Sequence, residues 1–416
     1  MLSEKLLATA FKRAVQRGTL EMTTAGGQRM TFGNGQHPRV SIRFTDAAAQ
    51  MALCLHPELK LGELFMDGRL VIEQGTIYDF LQLVLQDTHG ELDELPLHRL
   101  RKIRAWMKRR SENDANKSKR NVAHHYDLDG RLYALFLDSD RQYSCAYFDS
   151  PDATLEEAQL AKKRHITAKL LVEPGQSVLD IGSGWGGLGL YLARVAGAGM
   201  VKGVTLSEEQ LDVSRKRAAA AGLLGRVNFE LEDYRSTQGA FDRIVSVGMF
   251  EHVGIPSYDA YFQTCRRLLK EDGVMLLHTI GRTGPPYPTN PWITRYIFPG
   301  GHLPILSEIM PSVERAGLVV TDIEVLRLHY AMTLRAWRER FMAHRDEALR
   351  LYDERFCRMW ECYLAMSESA FRFQDAVVFQ IQLARRNDTV PLTRDYIAER
   401  EAALKLAEDT EMRRSA

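Results

Sequence analysis

The chain has 416 residues, 45% of them hydrophobic and 26% charged, which is enough to bury the cores of two or three domains. Its 55 Lys and Arg against 54 Asp and Glu leave a formal net charge of +1, excluding the global basic field that holds nucleic acid. The five cysteines (Cys54, Cys145, Cys265, Cys357 and Cys362) form no CxxC pair and no Cys/His cluster at ligand spacing, so no metal is expected and a reducing cytosol fits.

Residues 1–23 carry Leu2, Leu6, Leu7, Phe11 and Val15 near helical spacing, with Lys5, Lys12, Arg13 and Arg17 between them. They lack the apolar run and cleavage site of a secretory signal, and a helix there is expected to pack on its own domain rather than lie on a membrane. No run of about 18 apolar residues exists to cross a bilayer, so any membrane is met from its surface. A β-like Arg39–Phe44 and a helical pattern over residues 76–86 predict a small α+β domain over residues 1–97, without a nucleotide loop. Residues 98–120 form a basic connector, with Arg99, Arg101, Lys102, Arg104, Lys108, Arg109, Arg110, Lys117, Lys119 and Arg120 against Glu112 and Asp114. It reads as a solvated linker or as a contact for anionic lipid.

From residue 178 onward the pattern changes. Apolar β-rich runs at Ser177–Ile181, 200–206, 226–231, Phe241–Val247 and 273–280 alternate with helical patterns at 188–195, 208–221 and 258–269. Two later runs, 318–326 and Ala376–Ala384, complete the set. Such alternation predicts an α/β fold, a doubly wound seven-stranded Rossmann-like domain over residues 121–416 behind the smaller N-terminal domain.

The first of these strands ends in Asp180 and Ile181, and glycines at 182, 184, 186 and 187 open the next helix. A glycine loop there lets backbone amides approach a ligand that side chains would exclude. The spacing also matches a dinucleotide loop, but the second strand ends in Thr205, Leu206 and Ser207, not in the acid that would hold a ribose diol. The carboxylate stands instead at Asp180. Beside free amides it suits a zwitterion, the acid meeting an ammonium and the amides a carboxylate, which narrows the cofactor to S-adenosylmethionine.

Around this loop several words occur in one register: AHHYDLDGRLYALFLD from Ala123, YSCAYF from Tyr143, VLDIGSGWGG from Val178, GVTLSEEQ from Gly203, FDRIVSVGMFEHVG from Phe241, LLHTIG from Leu276, YIFPGGHLP from Tyr296 and YAMTLRAW from Tyr330. The chain resembles the cyclopropane-fatty-acyl-phospholipid synthases, relatives of the mycolic acid cyclopropane synthases, and GELFMDG from Gly62 resembles the N-terminal domain of the longer bacterial members. The resemblance implies a methyltransferase that adds a methylene bridge across the cis double bond of an unsaturated phospholipid acyl chain. It also implies a homodimer, cytoplasmic and peripherally associated with the inner face of the membrane.

Residue by residue, the resemblance implies Tyr126, Tyr143 and Ser144 around the methionine end of the cofactor, with Asp180, Gly182 and Gly184 in the loop. Thr205, Leu206 and Gln210 would lie near the ribose, and Asp233 and Tyr234 near the adenine. It further implies a bound bicarbonate as general base, held by Cys145, Glu251, His278, the backbone of Ile280, and Tyr330. Phe250, Tyr296 and Phe298 are candidates to face a developing carbocation. Taken singly, each has a plainer reading: Cys145 a buried thiol, His278 a satisfied core histidine, Tyr126 and Tyr143 core aromatics. Glu251 acting directly as base is the simpler alternative. Two other outcomes share these words, a methyl or methylene branch made from the same alkene and methylation of a small amine.

Overall fold

In a computed structural model that describes residues 2–87 and 129–415, strict alternation at Arg39–Phe44 does become a strand, with Val40, Ile42 and Phe44 buried on one face. The basic connector at 98–120 and Tyr126 lie outside the described residues. The described chain divides into two units: one within Met1–Arg109 together with Tyr287–Pro299 and Ala331–Ala376, the other within Arg110–Pro286 with Gly300–Tyr330 and Val377–Ala416.

The first unit contains a four-stranded sheet of β1 (Thr19–Thr23), β2 (Arg29–Gly33), β3 (Arg39–Phe44) and β4 (Leu70–Gln74), in the order β2-β1-β3-β4. The amphipathic segment at the N-terminus is a helix only over Leu2–Ala14; Leu7, Phe11 and Ala14 are buried while Leu2 and Leu6 stay exposed, and Thr19–Thr23 joins the sheet. Residues 76–86 form the helix Ile77–Leu85, begun by a reciprocal Thr76–Asp79 capping box. The unit is not confined to residues 1–97, because three fully buried tryptophans from later in the chain, Trp292, Trp337 and Trp360, help fill it. The Trp292 indole donates to Met66 Sδ at 3.2 Å and packs where a side chain on Gly62 would stand, 2.4 Å from its Nε1. Tyr296 hydroxyl donates to Glu63 at 2.9 Å. The word GELFMDG is thus read here by packing.

The second unit holds the seven-stranded sheet, β5 (Ser177–Ile181), β6 (Met200–Thr205), β7 (Val227–Leu231), β8 (Phe241–Val247), β9 (Leu269–Arg282), β10 (Val319–Leu326) and β11 (Ala376–Ala384), in the order β10-β11-β9-β8-β5-β6-β7. β5 pairs in parallel with β6 and β8, β6 with β7, and β8 with β9, whereas β10 and β11 are antiparallel. β9 is longer than its apolar run, because Leu269 pairs with Phe241 before a register shift brings Val274 opposite Arg243. The order runs outward from β5 to β7 and resumes at β8 on the other side of β5. That reversal opens a crevice beyond the carboxyl ends of the strands, where such sheets bind ligands.

A buried ionic cluster ties the C-terminal helix Asp395–Ser415 into this unit. His165, from the helix Leu155–Leu170, has Glu401 Oε1 2.7 Å from Nδ1 and Glu324 Oε2 2.7 Å from Nε2. Lys169 also reaches Glu324. Two carboxylates on one imidazole require both ring nitrogens to donate. Burial opposes the charge, but the two glutamates prevail and raise the His165 pKa above its usual value. Such a group stabilises the fold below its unfolded pKa, and that contribution is lost as pH rises through the folded one. His165→Ala is therefore expected to cost about 2 to 3 kcal/mol in urea unfolding at pH 6, and less at pH 9. Equal losses at both values would show that the imidazole is not charged in the fold.

Candidate active site

Four of the parallel strands of the second unit, β5 to β8, contribute residues to one cavity at the crevice. Its walls are Asp180 to Leu188 after β5 (with the exception of Gly186), Val204 to Leu206 and Gln210 at β6, Glu232 to Arg235 after β7, and Val247 to Met249, His252, Val253 and Ser257 after β8. Residues 141–144 and Lys162 close the remaining side. Tyr143, Ser144, Asp180, Gly182, Gly184, Thr205, Leu206, Gln210, Asp233 and Tyr234 are thereby brought together.

Local chemistry explains their placement. Gly184 adopts φ +54°, and a side chain there would meet nothing within 4 Å, so the loop presents bare backbone to the cavity. The loop's first turn is pinned from within, because the N–H groups of Gly182 and Ser183 both donate to the Val204 carbonyl, at 2.9 and 3.0 Å. Ser207 caps the helix Glu208–Ala220 by accepting from the Gln210 N–H at 3.3 Å, and the Thr205 hydroxyl donates to Gln210 Oε1 at 3.1 Å. Asp233 is paired with Arg235, at 2.6 Å. Tyr143 stands edge-on to Tyr133, with ring centroids 5.2 Å apart.

Asp180 is 2% exposed, and its Oδ2 has no hydrogen-bond partner among the described residues. Burial pushes its pKa up to about 7, against the pull of Lys162. A buried carboxylate left open on one oxygen fits a cationic group, as the ammonium of a methionyl cofactor would be. Lys162 itself is fully buried and brought down to about 8 by that burial.

The five residues expected at the reacting end do not line this cavity. Glu251 and Ile280 are in direct contact, the Ile280 N–H donating to Glu251 Oε1 at 2.6 Å while Oε2 is buried without a partner among the described residues. The Ile280 amide expected to face a bicarbonate is therefore engaged by Glu251. Burial raises the Glu251 pKa above the usual carboxylate range, partly opposed by that amide. His278 pairs in register with Val247, and its carbonyl accepts from the Gly248 N–H at 2.9 Å. Burial brings its pKa down to about 3, so the ring is neutral. Gln380 Nε2 lies 3.2 Å from Nδ1, which leaves Nε2 as the ring's donor. Cys145 is 1% exposed. Three residues on, the Phe148 N–H donates to His329 Nδ1 at 3.0 Å, directly before Tyr330, which is 8% exposed. Phe250 is enclosed by Tyr258, Tyr261 and Phe262 and does not line the cavity, and Tyr296 and Phe298 belong to the first unit.

Sequence reasoning missed Lys162, since Lys162-Lys163-Arg164 reads as a solvated helix face. The signal was present nonetheless. Ala158, Lys162, Ile166 and Leu170 follow one another at four-residue steps, which sets the lysine on an apolar stripe, and all four are buried.

Residues 113–381 match the family described as mycolic acid cyclopropane synthetase. The chain is 41% identical to the cyclopropane-fatty-acyl-phospholipid synthase of Escherichia coli strain K12 over 79% of its own length and 83% of the relative's. It is 37% identical to a tuberculostearic acid methyltransferase of Mycobacterium tuberculosis over 90% of both chains. Among solved structures, the mycolic acid cyclopropane synthase CmaA1 complexed with SAH and CTAB superposes with a TM-score of 0.61 at 36% identity, covering 64% of this chain and 97% of that one. Coclaurine N-methyltransferase, at 21% identity and a TM-score of 0.64 over 78% of this chain and 99% of that one, shares the fold. The loop after β5, the seven-stranded sheet and these matches make the protein an S-adenosylmethionine-dependent methyltransferase, and the chain belongs to the mycolic acid cyclopropane synthetase family.

Proposed function

We propose that the protein transfers a methylene group to the cis double bond of an unsaturated phospholipid acyl chain, as a homodimer working peripherally at the inner face of the membrane. The relative from Escherichia coli supports the substrate class by its name and by how much of both chains aligns. The observation that carries the reading is Glu251, a buried carboxylate clamped on one oxygen by the Ile280 amide and open on the other. Closing a three-membered ring requires a proton to leave the newly added methyl group, and a fixed buried acceptor serves that step.

S-adenosylmethionine supplies the electrophilic methyl group. Asp180, Gly182 and Gly184, with Tyr143 and Ser144, would hold its methionyl end, Thr205, Leu206 and Gln210 the ribose, and Asp233 and Tyr234 the adenine. Bicarbonate also fits the residues present: the Nε2–H of neutral His278, the open oxygen of Glu251, and the Cys145 and Tyr330 side chains would hold it, and when bound it supplies a base. Glu251 orients the acceptor of the proton in that case, and is itself the acceptor in the simpler one. Water must be kept from the site, because a carbocation on the acyl chain would be quenched before the ring closes.

Glu251→Gln is expected to lower turnover on vesicles of unsaturated phospholipid by about 100-fold or more, while S-adenosylhomocysteine affinity measured by calorimetry stays within a few-fold. Unchanged turnover would defeat the role. The product separates this reading from a second one, which the tuberculostearic acid methyltransferase relative favours because it aligns over 90% of both chains. Proton NMR of the purified lipid product is expected to show the shielded protons of a cyclopropane ring; a methyl or methylene branch would establish the second. Because Asp180 sits near pH 7, S-adenosylhomocysteine should bind more tightly as pH rises from 6 to 7.5, as the carboxylate ionises. Asp180→Asn should weaken binding and flatten that dependence.

A further inference from the structure

Among the described residues Lys162 is the one lysine in the cavity wall, and its hydrogen bonds there are incomplete for a buried ammonium. Nζ donates to Gln142 Oε1 at 2.6 Å and to Ser144 Oγ at 2.9 Å, which leaves its third N–H without an acceptor among the described residues. Both acceptors are neutral. Asp180, on the same cavity wall, has the opposite deficit, an oxygen with no donor. A spare donor on a cation and a spare acceptor on an anion complement a ligand that carries both charges, an α-amino acid.

Part of the glycine loop is withheld from a ligand carboxylate. Its Gly182 and Ser183 amides are committed to the Val204 carbonyl, and that of Gly186 to the Ser183 carbonyl at 3.0 Å. We propose that Lys162 is a cofactor-binding residue that takes the α-carboxylate of S-adenosylmethionine, while Asp180 takes its α-ammonium. Gln142 and Ser144 hold the lysine in place for this. Gln142 is in turn fixed by donating to Asp140 Oδ2 at 3.0 Å, and Asp140 is itself held by Lys163 and Arg217. The charged groups that act on Lys162 are Asp138, Asp140 and Lys163, with Arg217 on the far side of Asp140, and Lys162 in turn acts on Asp180. Burial costs Lys162 part of its proton affinity, and a ligand carboxylate restores it. The assignment concerns the cofactor alone and holds whichever lipid product is made.

The test compares two ligands that differ in one group: S-adenosylmethionine and its decarboxylated form, which keeps the amine and the sulfonium. Calorimetry on the full chain is expected to show the wild-type protein preferring S-adenosylmethionine by roughly 10- to 100-fold. Lys162→Met should lose that preference by weakening S-adenosylmethionine while leaving the decarboxylated ligand within about threefold. Asp180→Asn should weaken both ligands alike. Equal affinity of the wild-type protein for the two ligands overturns the assignment, as does an equal loss of both in Lys162→Met. Should that variant fail to give a cooperative melt, the wild-type comparison and Lys162→Gln decide the matter.

Discussion

A carboxylate taken out of water at the end of a central strand has to be answered by charge or by hydrogen bonds, and at Asp180 the fold answers only in part. β5 delivers it to the crevice at 2% exposure, the loop that follows turns away to bond Val204, and one oxygen stays open. The nearest cation, Lys162, bonds neutral partners instead. Burial moves each of the two groups toward its neutral form. A site prepared in this way has little charge of its own and a strong reason to accept both signs from a ligand.

Glu251 and His278 follow the same logic at the ends of the next two strands. The glutamate is half-satisfied by one amide, and the histidine is kept neutral by its surroundings. The strand order explains why these groups gather at one edge. β5, β8 and β9 run parallel side by side, so Asp180, Glu251 and His278 gather toward one edge although they are far apart in the chain.

Much of this was legible beforehand. The limits of β5, β8 and β11 are those of their apolar runs, because strands buried on both faces are rich in Val, Ile and Leu along their length. The cofactor wall was legible through the loop and through words at fixed positions. What stayed hidden depended on contacts between distant segments. The glycines at 182, 184, 186 and 187 look alike in the sequence, yet only at Gly184 does the absent side chain face open space. A side chain on Gly187 would fall 2.2 Å from Gln142 Nε2, and one on Gly182 2.9 Å from Met249 Cβ, so those two serve packing. Lys162 was obscured by its charged neighbours. Which way the Phe250 ring turns was hidden too, because its packing on Tyr258, Tyr261 and Phe262 depends on the fold of the segment that follows.

The first unit is assembled from three separated stretches of chain, the last ending at Ala376. On a ribosome this inverts the usual order, in which an N-terminal domain finishes before the next begins. The early sheet β2-β1-β3-β4 has to wait for Trp292, and then for Trp360, before its unit can fill. The large sheet waits for β11, which begins at Ala376. Neither unit can therefore be completed until most of the polypeptide has been made, and neither can be cut out as one contiguous fragment. Gene fusions or truncations that treat the N-terminal third as a detachable module would strip it of the later tryptophans that fill its core.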